Sequence, residues 1–272
     1  MRHTGGISLT VEINGLSVNY ECFEPAVPET DTVVFVLHGW GANLNVYRSI
    51  AAVTAAKYRT VLFDFPGFGQ SDEPKEPWDV SQFTKLAIRF IAHFQCRRVI
   101  LIGHSFGGRV TIKMCTEFRE KLPFEIEKII LTDSAGIRPK RSLKSKCRTR
   151  VYKISRWFVQ LAPVRKLYPD ALGILQKKFG SADYAAASPM MRQCLVKTVN
   201  EDLSALLPQI QVPALLIWGD RDTATPLADG QRMEREIKGS GLVTLSGAGH
   251  FSFLDQPAVY AAVLRSFLEI GA

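Results

Sequence analysis

The sequence predicts an α/β fold, a mostly parallel central sheet flanked by helices, interrupted once by a helical insertion. Three observations carry that expectation. From Thr32 onward, apolar runs of strand length alternate with stretches of helical spacing, the pattern of a parallel sheet covered on both faces. The run Ile100-Leu101-Ile102 stops on Gly103-His104-Ser105-Phe106-Gly107 and passes directly into Gly108-Arg109-Val110-Thr111-Ile112. A buried strand thus turns sharply into a helix with a serine at the bend. From Gly136 to about Leu207 the alternation stops and the chain becomes helical and strandless, then resumes at Pro213.

Taken in order, 7–13 and 16–23 alternate around Asn14-Gly15, a strong hairpin signal. A continuous apolar strand at 32–37 ends on His38-Gly39-Trp40-Gly41, and a helix is expected over 43–56. The strand at 58–63 breaks into a loop rich in Pro and Gly, 64–72. Ser81 is the expected N-cap of a helix reaching Gln95, with Phe83, Leu86, Ala87, Phe90, Ile91 and Phe94 at helical spacing. The strand 98–104, a helix 106–120 and a strand 128–132 complete the first part of the sheet. After the insertion come the strand 214–218, a helix 227–238, a strand 242–245 and a helix 257–270. The expected division is a core of 1–136 and 208–272 and an inserted helical cap, 137–207.

Composition narrows the function. The chain has 272 residues, 46% of them hydrophobic, and its longest apolar runs fall far short of the roughly 20 residues of a membrane span. The N-terminus lacks an apolar stretch of signal-peptide length, so a cytoplasmic location is expected. Cys22, Cys96, Cys115, Cys147 and Cys194 form no C-x-x-C pair, which argues against a disulfide framework and against a zinc site. The net charge of +8 is local: eleven Lys or Arg and no acid lie between Arg138 and Lys166, and the rest of the chain carries −3. Solvated helix charge is the reading adopted, and no nucleic-acid partner is expected. A docking surface for nucleic acid or anionic membrane is a competing reading with salt-dependent binding as its signature. If the segment overhangs the serine, its positive potential steers anionic substrates inward.

A serine hydroxyl is a poor nucleophile at neutral pH and needs a base, and the base needs an acid to hold its tautomer. His250, in Gly247-Ala248-Gly249-His250, is the only histidine after Ser105 and follows a predicted strand. The segment Trp218-Gly219-Asp220-Arg221-Asp222 offers two acids. Asp222, deeper in the loop, is preferred, Asp220 is expected to fix the turn, and Asp133 is held in reserve. Two donors are needed for the tetrahedral oxyanion, and the backbone N–H groups of Phe106 and Trp40 are the expected pair.

These segments together resemble the α/β-hydrolase superfamily: His-Gly-Trp-Gly at 38–41, Asp-x-Pro-Gly-x-Gly-x-Ser-Asp at 64–72, Gly-His-Ser-Phe-Gly-Gly at 103–108, Trp-Gly-x-x-Asp at 218–222 and Gly-x-Gly-His at 247–250. The resemblance implies a Ser105, Asp222, His250 triad and a cap inserted after the sixth strand; no cofactor or metal is expected. Trp157, Phe158, Met190, Phe251 and Phe253 are the expected substrate-pocket residues. Serine at the elbow departs from epoxide hydrolases and haloalkane dehalogenases, which carry aspartate there. The expected activity is hydrolysis of a small or medium carboxylic ester, thioester or lactone through an acyl-enzyme. A C–C bond hydrolase of the meta-cleavage type and a non-enzymatic small-molecule receptor are the alternatives; Phe251, where the meta-cleavage enzymes have tryptophan, weakens the first. The sequence leaves oligomeric state open.

Overall fold

A computed structural model of the chain describes residues 8–27, 30–138, 150–151, 154–155, 157–161 and 182–271. Eight strands form one sheet: β1 (Ser8–Ile13), β2 (Leu16–Phe23), β3 (Val33–Leu37), β4 (Arg59–Phe63), β5 (Arg98–His104), β6 (Glu125–Thr132), β7 (Ala214–Gly219) and β8 (Ser240–Leu245). Their order is β1-β2-β4-β3-β5-β6-β7-β8. The hairpin β1-β2 joins β4 antiparallel, and every pairing from β4 to β8 is parallel. Central strands read as continuous apolar runs because both faces are covered. Phe35, Leu37, Leu101, Leu131 and Leu216 point into one core, and Val34, Val36, Ile100, Ile102, Ile130 and Ile217 into the other.

The first core is closed by α2 (Val80–His93), α3 (Phe106–Cys115) and α6 (Leu227–Glu236). The second is closed by α1 (Arg48–Thr54) and α8 (Pro257–Leu268). Between β6 and β7 the described residues contain α4 (Ala182–Ala186), α5 (Pro189–Asn200) and a 3-10 turn, Ser204–Gln209, and no strand. The basic stretch from Arg138 to Lys166 lies largely outside the described residues. A short helix, α7 (Ser252–Asp255), follows His250 and is not foreshadowed by the sequence.

Boundaries differ from the sequence-based ones in ways that have local causes. The N-cap of α2 is Asp79, not Ser81: its carboxylate accepts from Gln82 N and the Gln82 side chain accepts from Asp79 N, each at 2.9 Å. Ser81 instead accepts from the Lys113 ammonium at 2.7 Å. The helix expected at 43–56 opens as a 3-10 turn, Leu44–Tyr47, capped by Asn43, before α1. α3 ends at Cys115, and a 3-10 turn, Arg119–Lys121, follows it. β6 begins at Glu125 because Glu125 and Ile126 pair with Arg98 and Val99 on β5. Among the described residues no helix is long and apolar enough to cross a membrane.

Candidate active site

The loops that follow β3, β5, β6, β7 and β8 all leave the carboxyl edge of the sheet, where ligand sites of open parallel sheets lie. Ser105 joins β5 to α3 with φ 49° and ψ −110°, a left-handed backbone that a non-glycine residue adopts at a cost. Close packing holds it there. A Cβ on Gly107 would run into the Leu37 carbonyl at the end of β3, so only glycine lets α3 approach the sheet this nearly.

His250 Nε2 lies 2.9 Å from Ser105 Oγ, and His250 Nδ1 lies 2.8 Å from Asp222 Oδ2. The Asp222 side chain is fully buried and accepts from Ala224 N at 2.8 Å and Thr225 N at 3.0 Å. Thr225 Oγ1 stands 2.6 Å from Asp222 Oδ2 and 2.9 Å from the Asp133 carbonyl. Burial pulls the Asp222 carboxyl upward, but the hydrogen bonds from His250 and Thr225 outweigh it and hold the group below its ordinary value. A serine, an imidazole and an ionised carboxylate in this relay can move a proton off the hydroxyl and back onto a leaving group.

The other two acids are bound elsewhere. Asp220 Oδ1 accepts from Gly247 N at 2.8 Å and ties the loop after β7 to the loop that carries His250. Asp133 is buried and accepts from Gly219 N at 2.9 Å and Ser252 N at 3.1 Å. Burial raises its pKa to about 6.

Trp40 and Phe106 line the same cavity as Ser105, and among the described residues neither backbone N–H is taken by another acceptor. A hydrogen-bond chain braces the surrounding loops: Gly39 N donates to Tyr47 Oη at 2.8 Å, the tyrosine hydroxyl donates to His104 Nδ1 at 2.7 Å, and His104 Nε2 donates to the His250 carbonyl at 2.8 Å. That assignment needs a neutral His104, and burial drops its pKa to about 3.

The cavity has a volume of about 290 Å³. Of the five residues expected to line it, only Phe251 does. Trp157 and Phe158 are 65% and 56% exposed and take no part in its wall. Met190 also stays out of the wall, and its neighbour Met191 is the buried one, packed over Gly67. Phe253 turns inward along α7, where it stacks on Tyr47 at 5.1 Å between centroids. Ile137, Leu195 and Val199 supply apolar wall instead, and Arg109, on the first turn of α3, is the one lysine or arginine in it among the described residues. Thr225, Tyr47 and Arg109 carry no sequence signal of their own, because each reaches the site through long-range packing. Among the described residues no group of three His, Cys, Asp or Glu is placed to hold a metal ion.

The alpha/beta hydrolase family model matches residues 33–263, and the chain belongs to that family. The protein is a hydrolase. A pimeloyl-[acyl-carrier protein] methyl ester esterase of Neisseria meningitidis is 27% identical over 258 residues, covering 90% of this chain and 79% of the relative. An esterase from Exiguobacterium antarcticum superposes with a TM-score of 0.72 at 20% identity, over 97% of this chain and 100% of that one. The enol-lactonase from Burkholderia xenovorans superposes equally well, at 0.72 and 20% identity, over 96% and 100%. At those identities the two structures share the fold.

Proposed function

We propose that the protein is a serine hydrolase that cleaves small or medium carboxylic esters through an acyl-enzyme. The observation that carries this reading is the relay Asp222, His250, Ser105, with links of 2.8 and 2.9 Å, opening on a mainly apolar cavity. Ser105 Oγ attacks the ester carbonyl while His250 Nε2 takes its proton. Asp222 holds the Nδ1–H tautomer and stabilises the imidazolium, and the backbone N–H groups of Phe106 and Trp40 receive the oxyanion. Collapse of the tetrahedral intermediate expels the alcohol, protonated by His250. Water then attacks the acyl-enzyme with His250 as base, releasing the acid and restoring Ser105.

The segment 137–207 acts as the cap: Leu195, Thr198 and Val199 of α5 face Ser105 across the cavity. The esterase name of the Neisseria relative supports a methyl ester as the first substrate to try, with thioesters and lactones as close competitors. A panel of p-nitrophenyl and methyl esters of rising acyl length, run beside lactones and acyl-CoA, tests the proposal. Ester turnover that falls as the acyl chain outgrows the cavity is expected, and the absence of turnover on every ester would overturn it.

A further inference from the structure

Arg109 is only 5% exposed, yet it lines the cavity that holds Ser105. Burying a guanidinium is costly unless it is paired, and paired arginines ordinarily use several of their five N–H donors. Here one nitrogen is engaged: Nη1 donates to the Glu201 carbonyl at 2.7 Å. Among the described residues Arg109 forms no ion pair, and Nε and Nη2 have no partner although neither is sealed away from open space. The acids nearest in charge are Glu201 and Asp202. Both are otherwise occupied, since the Glu201 carboxylate pairs with Lys113 at 2.6 Å and Asp202 accepts from Ser204 N at 3.1 Å. Two further acids line the cavity away from these contacts: Asp183 stands by Gly41 and Asp229 is within electrostatic reach of Arg232.

We infer that Arg109 is a specificity residue whose free donors bind a carboxylate at the far end of the substrate's acyl chain, so that the preferred ester is a monoester of a dicarboxylic acid. The inference rests on the serine-hydrolase reading for the position of the scissile bond. Ser105 and Arg109 lie four residues apart, about one turn along α3, so nucleophile and anion receptor share one rigid element. The cavity that both residues line is mainly apolar, with Trp40, Phe106 and Ile137 in its wall, and suits a methylene chain. A planar guanidinium with open donors matches a carboxylate in two-point geometry, which a lysine cannot reproduce.

The test compares monomethyl esters of straight-chain dicarboxylic acids with methyl alkanoates and dimethyl diesters of the same chain length. Wild-type kcat/KM should favour the monoester, and in Arg109→Gln the ratio of monoester to alkanoate should fall by roughly 10- to 100-fold, mostly through KM, the scale of a charge-assisted hydrogen bond. Arg109→Lys should recover only part of the ratio. Wild-type preference for the alkanoate, an unchanged ratio in Arg109→Gln, or equal dependence of monoester and diester on Arg109 would each overturn the inference. Calorimetric binding of the monoester to Ser105→Ala, with and without Arg109→Gln, separates the two claims. Arg109-dependent binding there supports the receptor even if no ester is turned over, and Arg109-independent binding overturns it even if hydrolysis is brisk.

Discussion

Asp133 and Asp222 stand in loops at the ends of adjacent parallel strands, β6 and β7, and both are buried, yet their surroundings drive them in opposite directions. Asp222 faces an imidazole, a hydroxyl and two backbone N–H groups, which together overcome burial and hold it ionised. Asp133 faces two backbone N–H groups from the neighbouring loops, and burial prevails, lifting it to about 6. Position at a strand end therefore does not make an orienting acid. What decides is whether the carboxylate meets a group whose charge it can stabilise. Asp133 instead fastens the end of β7 and the start of α7 to β6, a bracing role that Asp220 shares by tying the loops after β7 and β8 together.

The contrast can be broken most forcefully at Ser105, the proposed nucleophile. Ser105→Ala should lower kcat for ester hydrolysis by roughly 10⁴ to 10⁶ with the fold intact, since on the proposed mechanism it removes the group that becomes acylated and no packing. Steady-state kinetics of a purified variant with an unchanged circular dichroism spectrum checks this, and a retained tenth of the activity would refute the assignment. Asp222→Asn should come next, at about 10⁴-fold, because an amide in place of the orienting acid favours the wrong imidazole tautomer. Asp220→Asn and Asp133→Asn should act chiefly on stability. If Asp133→Asn lowered kcat more than Asp222→Asn, the two roles would have to be exchanged.

Smaller effects sharpen the same comparison. Thr225→Val removes one donor from Asp222 and should cost about tenfold in kcat, the worth of one hydrogen bond to a charged group. The pH dependence of stability distinguishes the acids as well. Because Asp133 is a weaker acid folded than unfolded, its protonated form contributes stability that is complete below its ordinary pKa of 3.8 and is lost as pH rises through about 6. Relative to Asp133→Asn, wild-type protein should lose about 2–3 kcal/mol between pH 4 and 7 in urea unfolding. A pH-independent difference would contradict the buried, bracing role.

The parts of this molecule legible in its sequence are those that local backbone chemistry dictates. Strand β5 and the strained turn at Ser105 are written in an apolar run followed by glycines, and His250 and Asp222 in polar residues placed after strands. Asp79 is masked by Ser81 because two capping candidates lie two residues apart and only the reciprocal bonds with Gln82 choose between them. The cavity wall is illegible for a different reason. Leu195 and Val199 meet Ser105 across about ninety residues of chain, and exposed aromatics such as Trp157 look the same in sequence as buried ones. Arg109 reads as an ordinary first-turn helix residue until α5 and the Glu201 carbonyl close over it.

The most direct test of the central claim is covalent. A fluorophosphonate phosphonylates a serine only where a base activates it and an oxyanion site holds the developing charge. Peptide mass spectrometry of the treated protein should find one adduct, on the peptide containing Ser105, strongly slowed in His250→Ala and in Asp222→Asn and unchanged in rate in Asp133→Asn. An unlabelled Ser105 in protein that still hydrolyses esters, or labelling at undiminished rate in His250→Ala, would contradict the account.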